Sequence, residues 1–196
     1  LLGELTNKKL RRRYHVSDEY DYRENSIYKT YLACDAVSDE VLLRNHYRCN
    51  KEIIGFNNKK YYNSKLKIQS KSNEPEPLVY MDVKSDNTQI KNTSPAEVEE
   101  VVEYALLNKD KSIAVITPFV NQKQLIENAI KQNKLSNLVC GTVHAFQGDE
   151  KDVVLFSTAI SERTSSGTYN WLKNNKELIN VATSRAKEKL VLLTNG

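Results

Sequence analysis

The chain has 196 residues, of which 39% are hydrophobic and 28% charged, and carries a formal net charge of +4. That length suits one medium domain with a short extension, a modest core and a wet surface, and the mild positive balance permits polyanion binding without requiring it. No apolar run reaches membrane-spanning length, and Cys34, Cys49 and Cys140 form no C-x-x-C pair, which argues against a membrane span, a disulfide framework or a structural zinc site.

Residues 1 to about 24 are polar, with Lys8-Lys9-Leu10-Arg11-Arg12-Arg13 as a basic run. They read as a solvated, partly disordered arm, or else as a phosphate-contacting patch. The spacing of Ile27, Tyr28, Tyr31 and Leu32 predicts a short amphipathic helix over Ser26 to Cys34. Val41-Leu42-Leu43 reads as a strand, followed by Arg44 to Asn50 and a helix capped by Asn50 that carries Ile53, Ile54 and Phe56. The polar region to Pro77 reads as a surface excursion, because strand character resumes at Leu78-Val79-Tyr80-Met81. Ser94-Pro95-Ala96-Glu97 starts a helix, with Glu97 one step short of a reciprocal capping box and Val98, Val101, Val102, Ala105 and Leu106 on one stripe.

Ile113 to Ile116 is a buried strand, and a helix from about Asn121 to Gln132 follows it. Leu138-Val139-Cys140 is the next strand, ending at Gly141, and Val153 to Ile160 is the most apolar run and the candidate central strand. Trp171 and Leu172 pack a short helix, Glu177 to Arg185 form another, and Lys189 to Leu193 is the last strand. Strands alternating with helices predict an α/β domain with a mainly parallel sheet covered on both faces. Residues 1–39 are expected to be a connector and 40–196 the domain itself. The start on Leu1 reads as an excised segment, and the whole as a soluble, cytoplasmic protein.

The polar stretch from Thr142 to Asp152 holds a carboxamide, acids, a His and Gly148, and loops at strand ends of such sheets are where ligands sit. Gly148 permits positive φ or close approach, and Glu150 can accept from ribose hydroxyls. A plain turn explains the Gly-Asp pair as well. His144 reads as a loop organiser with no proton-transfer role. Arg185, among small residues near a helix end, suits charge on a transferring phosphoryl, or else an ordinary ion pair. Arg48 lies just past a strand end, beside Tyr47, which suits a base face or simple packing. Thr117, Pro118 and Thr142 close two strands with groups suited to nucleic-acid phosphates, or to helix capping. Asp149, Glu150 and Asp152 are close in sequence, without the Walker serine a magnesium site would use. None of the six glycines begins a G-x-x-x-x-G-K-[ST] loop, so the chain is not expected to cradle a triphosphate in the Walker manner by itself.

Four segments occur together in one order: His46-Tyr47-Arg48 with Ile53-Ile54-Gly55-Phe56 and Tyr61-Tyr62, then Ile116 to Gln122, then Thr142 to Asp152, then Leu178 to Ala186. Together they resemble the second motor lobe of superfamily 1 helicases, most closely the branch with RNA-surveillance and flap-processing members, over about Val41 to Leu193. Ser184 departs from the threonine common there. The resemblance implies a three-layer RecA-like lobe without a Walker A loop, whose partner lobe in the same polypeptide holds ATP and Mg2+. It implies that Arg48 and Arg185 reach the γ-phosphate, that Tyr47 stacks on adenine, and that Gln147, Gly148 and Glu150 line the nucleotide. It places Thr117, Pro118, Thr142 and His144 toward single-stranded DNA or RNA. Alone, the lobe is expected to be monomeric and inert and to carry no cofactor or metal. The alternative is a non-catalytic RecA-like module that binds nucleic acid or a protein partner.

Overall fold

The structure, a computed structural model, describes residues 4–21, 25–34, 41–84, 90–146, 148–161 and 163–195, without the side chains of residues 4–8 and 144. Two compact units divide it, Leu1–Leu42 and Leu43–Gly196. In the first, the basic run lies within helix α1 (Glu4–Arg13), an element the sequence did not predict. Arg11 from that helix bridges Asp18 and Asp21. Helix α2 (Ile27–Cys34) follows and leaves Ile27, Tyr28, Tyr31 and Leu32 exposed.

The second unit opens with strand β1 (Asn45–His46), helix α3 (Lys51–Tyr61) and strand β2 (Lys67–Ile68), with β1 and β2 parallel. Val41-Leu42-Leu43 form no strand; Val41 and Leu43 are exposed, and the ladder begins one step later, where Lys67 N–H reaches Arg44 O at 2.7 Å. An apolar run becomes a strand only where a partner ladder meets it. Asn50 caps α3 as expected, its side chain accepting from Glu52 N at 3.0 Å.

Strand β3 (Leu78–Asp82), helix α4 (Pro95–Leu107), strand β4 (Ile113–Thr117), helix α5 (Val120–Gln132) and strand β5 (Leu138–Thr142) follow. A short 3-10 turn over Val143–Phe146 leads to strand β6 (Lys151–Ser157), helices α6 (Ser166–Asn174) and α7 (Lys176–Thr183), and strand β7 (Ala186–Thr194). The five long strands form one parallel sheet in the order β3-β7-β6-β4-β5, with β6 in the centre.

Alternation along the strands splits the core in two. Ala114, Ile116, Val154 and Phe156 face α3 and α7 with Ile53, Ile54 and Ala182, while Ile113, Val115, Val153 and Leu155 face α4 and α5 with Val101, Ala105 and Ile126. Successive strand side chains point to opposite faces, so a sheet buried on both sides reads as continuously apolar. The result is the three-layer α/β, RecA-like fold.

Ser94 caps α4 by accepting from Glu97 N at 3.2 Å. Pro95 is the first helical residue, so Glu97 is the third, the capping-box position itself. Its carboxylate nevertheless turns into the core, and Ser94 N–H goes to Gln122 Oε1 at 2.8 Å.

Candidate nucleotide and nucleic-acid site

Because all five strands run one way, the sheet has an edge of strand starts and an edge of strand ends. The sequence placed its candidate ligands at strand ends; the structure divides them between the two edges. Thr142 closes β5 at the far edge, and the chain must then return the length of the sheet to begin β6 at Lys151. Only residues 143–150 do this, where a crossover between parallel strands usually takes a dozen or more residues. The expected ligand loop is therefore a tight strap that touches both edges.

The arginines meet at the edge of strand starts. Arg185 is in the turn between α7 and β7, past the helix end. Its Nε donates to Val181 O at 3.3 Å and its Nη1 to Asp149 O at 3.4 Å. Arg48 Nε donates to Glu150 Oε2 at 2.6 Å, and its Nη1 to Ser184 O at 3.3 Å. Lys187 Nζ lies 3.2 Å from Glu150 Oε1. Glu150 is thus clamped by two cations, and the Arg48 bond first, then the Lys187 bond, holds its carboxyl below the ordinary range. Partial burial, then the nearby Arg48 charge, lowers Arg185. Arg48 and Arg185 thus bind adjacent parts of the chain, Arg48 the Glu150 side chain and Arg185 the backbone of Asp149.

Local hydrogen bonds aim these side chains. His46 Nε2 accepts from Cys49 N at 3.0 Å, closing the turn that carries Tyr47 and Arg48, and Cys49 Sγ donates to Ser184 O at 3.2 Å. Burial, then the Arg48 charge, lowers His46 and keeps that nitrogen an acceptor. Tyr47 is 68% exposed, its ring open to stacking. Gly148 has φ of +97°, the left-handed conformation its place in the strap requires. Gln147 lies outside the described residues.

Behind the arginines, buried Asn57 of α3 donates to Asn180 Oδ1 at 3.0 Å and Thr183 Oγ1 at 2.9 Å, and Thr183 Oγ1 donates back to Asn57 Oδ1 at 3.1 Å. This lock ties the helix after Arg48 to the helix before Arg185. Sequence reasoning missed Asn57, Lys187 and this lock. An asparagine inside a helix, against its propensity, was the available signal.

At the edge of strand ends, β4 and β6 are neighbours whose onward connections cover opposite faces, α5 on one and α7 on the other. Such a switch point opens a crevice for ligands. Here it is a cleft of about 650 Å3 lined by Lys91, Pro118, Phe119, Asn121, Ser165 and Trp171. Pro118 follows the end of β4 and lines this cleft. Thr117 is a correction: it is wholly buried, and its hydroxyl accepts from Phe119 N at 3.4 Å, so its side chain caps a turn and does not reach the surface. Thr142 is half-buried at the same edge, and the backbone of His144 lies in the 3-10 turn beside it, its side chain undescribed. Trp171 was read only as packing, yet its ring stands 6.0 Å from Phe119 with nearly half its surface open.

The fold and the four ordered segments define the chain as a RecA-like lobe of the superfamily 1 helicase class. Residues 23–196 match the AAA domain family, and the chain belongs to it. It is 30% identical to helicase sen1 of Schizosaccharomyces pombe over 79% of the chain, and 34% identical to mouse RNA helicase Mov10l1 over 52% of it. In each case it spans 10% of the relative's length. The C-terminal domain of a possible DNA helicase from Lactobacillus plantarum WCFS1 shares the fold with a TM-score of 0.50 at 18% identity, over 76% of this chain and 88% of that one. Among the described residues no helix is long and apolar enough to cross a membrane.

Proposed function

We propose that this chain is the C-terminal motor lobe of an ATP-dependent helicase or translocase, and that it completes an ATP site whose phosphate loop belongs to a first RecA-like lobe of the same polypeptide. Arg48 and Arg185 place two fixed positive charges on the transferring phosphoryl, where guanidinium is worth most. Tyr47 stacks on adenine, and Gln147 and Gly148 line the nucleotide. Glu150 exchanges its Arg48 partner for ribose hydroxyls as the phosphate arrives. What supports this is one observation: Arg48 and Arg185, far apart in sequence, converge on the backbone and side chains of Asp149, Glu150 and Ser184.

Among the described residues, Asp149, Glu150 and Asp152 do not form a magnesium site. Asp152 accepts from Ser112 at 2.6 Å, Asp149 faces Lys151, and Glu150 lies between Arg48 and Lys187, so the three acids turn to separate partners. In this reading the ion, like the phosphate loop, belongs to the first lobe. Pro118, Thr142, His144 and the cleft beside Trp171 take single-stranded DNA or RNA at the opposite edge. The strap of residues 143–150 joins the two, so a change at the nucleotide is felt at the strand ends.

Replacing Arg48 or Arg185 with Ala in the full-length protein tests this. Nucleic-acid-stimulated ATP hydrolysis should fall by about 10³ or more, the usual worth of such an arginine, with the fold intact. The lobe alone, monomeric, should turn over no ATP. Near-normal turnover by either variant, or hydrolysis by the isolated lobe, refutes the assignment.

A further inference from the structure

Glu97 takes no part in the arginine edge, and it is the most deeply buried acid described. Its carboxylate accepts the Ser157 hydroxyl at 2.6 Å and the Ala159 N–H at 3.0 and 3.1 Å. Ser157 Oγ accepts in turn from Gln122 Nε2 at 2.9 Å, and the Gln122 amide exchanges two bonds with the Ser94 backbone, at 2.8 and 3.2 Å. One network thus joins the cap of α4, the first turn of α5, the last residue of β6 and the chain leaving it. Ser94, Glu97, Gln122 and Ser157 are each 1% exposed or less.

Ala159 has φ of +47°, a left-handed conformation that is unfavourable for a residue with a Cβ. Such a conformation persists only where its surroundings enforce it. The N–H that Glu97 holds belongs to that residue. The connector beyond leads through Ser161 and Thr164 to α6, whose Ser165 and Trp171 form one wall of the 650 Å3 cleft opposite Phe119 and Asn121.

We propose that Glu97 is a positioning residue for the nucleic-acid edge: as a carboxylate it holds the β6 exit in its left-handed turn and so sets the wall that carries Trp171, and on taking up a proton it gives part of that hold away. The functional half of this rests on reading that edge as the nucleic-acid side. A neutral acid must donate, and the atom it would donate to, Ser157 Oγ, already receives the Gln122 amide. The serine's own hydrogen then loses its acceptor. The groups bonded to Glu97 or to its partners are uncharged: Gln122 from α5, Ser157 and the Ala159 N–H from β6 and its exit, and Ser94 from the cap of α4. Burial, opposed by the Ser157 and Ala159 bonds, pushes the carboxyl up to about 7, so the exchange falls near neutral pH.

Trp171 is the chain's one tryptophan, so its emission reports this wall alone. Followed between roughly pH 5 and 9, emission should show a step with its midpoint near 7. Glu97→Gln, which fixes the neutral hydrogen-bonding pattern, should abolish the step. Ser157→Ala removes a bond that favours the carboxylate and should move the midpoint to higher pH. A flat profile in the unsubstituted chain, or a step that survives Glu97→Gln, overturns the proposal. If Glu97→Gln fails to fold by circular dichroism, an unmoved midpoint in Ser157→Ala overturns it instead. Anisotropy of a labelled single-stranded oligonucleotide, read on both sides of the step, should show a pH-dependent affinity that Glu97→Gln loses. Absence of oligonucleotide binding at any pH refutes the nucleic-acid reading, while the emission step, which needs no ligand, still judges the positioning role.

Discussion

Gly141, the second-last residue of β5, is occupied by glycine for space, and the size of the effect is open to a direct test. Its φ is not in the left-handed region, so a Cβ there meets no backbone strain. The obstacle is the returning chain: an added Cβ would stand 2.9 Å from Phe146 Cε2 and 3.0 Å from Ala145 Cβ. Carbon atoms settle at about 3.5–4.0 Å, so something must move by roughly half an ångström or more. The Phe146 ring is buried in the core with Ile116, Val143 and Val154 and has no open side to turn into. Relief must come from lifting the 3-10 turn that starts the strap to Glu150. Overpacking of this kind costs about 1–3 kcal/mol. The lower chain entropy of alanine in the unfolded state returns about 0.4–1 kcal/mol. Gly141→Ala should therefore destabilise by about 1–2 kcal/mol, a fall of roughly 2–8 °C in Tm for a chain this size. Gly55, inside α3 with nothing within 4 Å of its added Cβ, is the control. Gly55→Ala should stabilise by about 0.5–1 kcal/mol, because alanine is the better helix former. Urea unfolding of both variants against the parent chain decides it. A Gly141→Ala midpoint equal to the parent's, or a Gly55→Ala loss of similar size, would show that the strap does not press on β5 as described.

Two further outcomes follow from burial. Asn57→Ala strips partners from buried Thr183 and from Asn180 and should cost about 2 kcal/mol in denaturant midpoint, since an unmade buried bond costs about 1–3; a loss below about 0.5 would mean water or a neighbour replaces the lock. Burial pushes the Cys49 and Cys140 thiols up to about 12 while Cys34 is exposed. A thiol reagent at mildly alkaline pH should therefore label Cys34 rapidly and the other two only on unfolding, and fast labelling of Cys49 would contradict the packing beside Arg48.

What the sequence determined by itself was local and periodic. The Asn50 and Ser94 caps, the apolar strands from Leu78 onward, the central β6 and the residue types of the arginine site are all legible there, because caps and periodicity act over one or two turns of chain. Its failures were of the opposite kind. Val41-Leu42-Leu43 has strand composition and no ladder, the basic run sits in a helix, and Thr117 carries a hydroxyl that faces inward. In each, what decides is a partner, or its absence, remote in sequence. Only the tertiary structure could assign Arg48 and Arg185 to the edge of strand starts, opposite the strand ends where the sequence already put Pro118 and Thr142, since a parallel sheet sends each loop to an edge that pattern alone does not name. The same holds for Glu97, whose capping-box position gives no hint that its carboxylate holds the exit of a strand from another part of the chain. Burial and convergence are properties of the folded body, because they depend on which distant residues exclude water together.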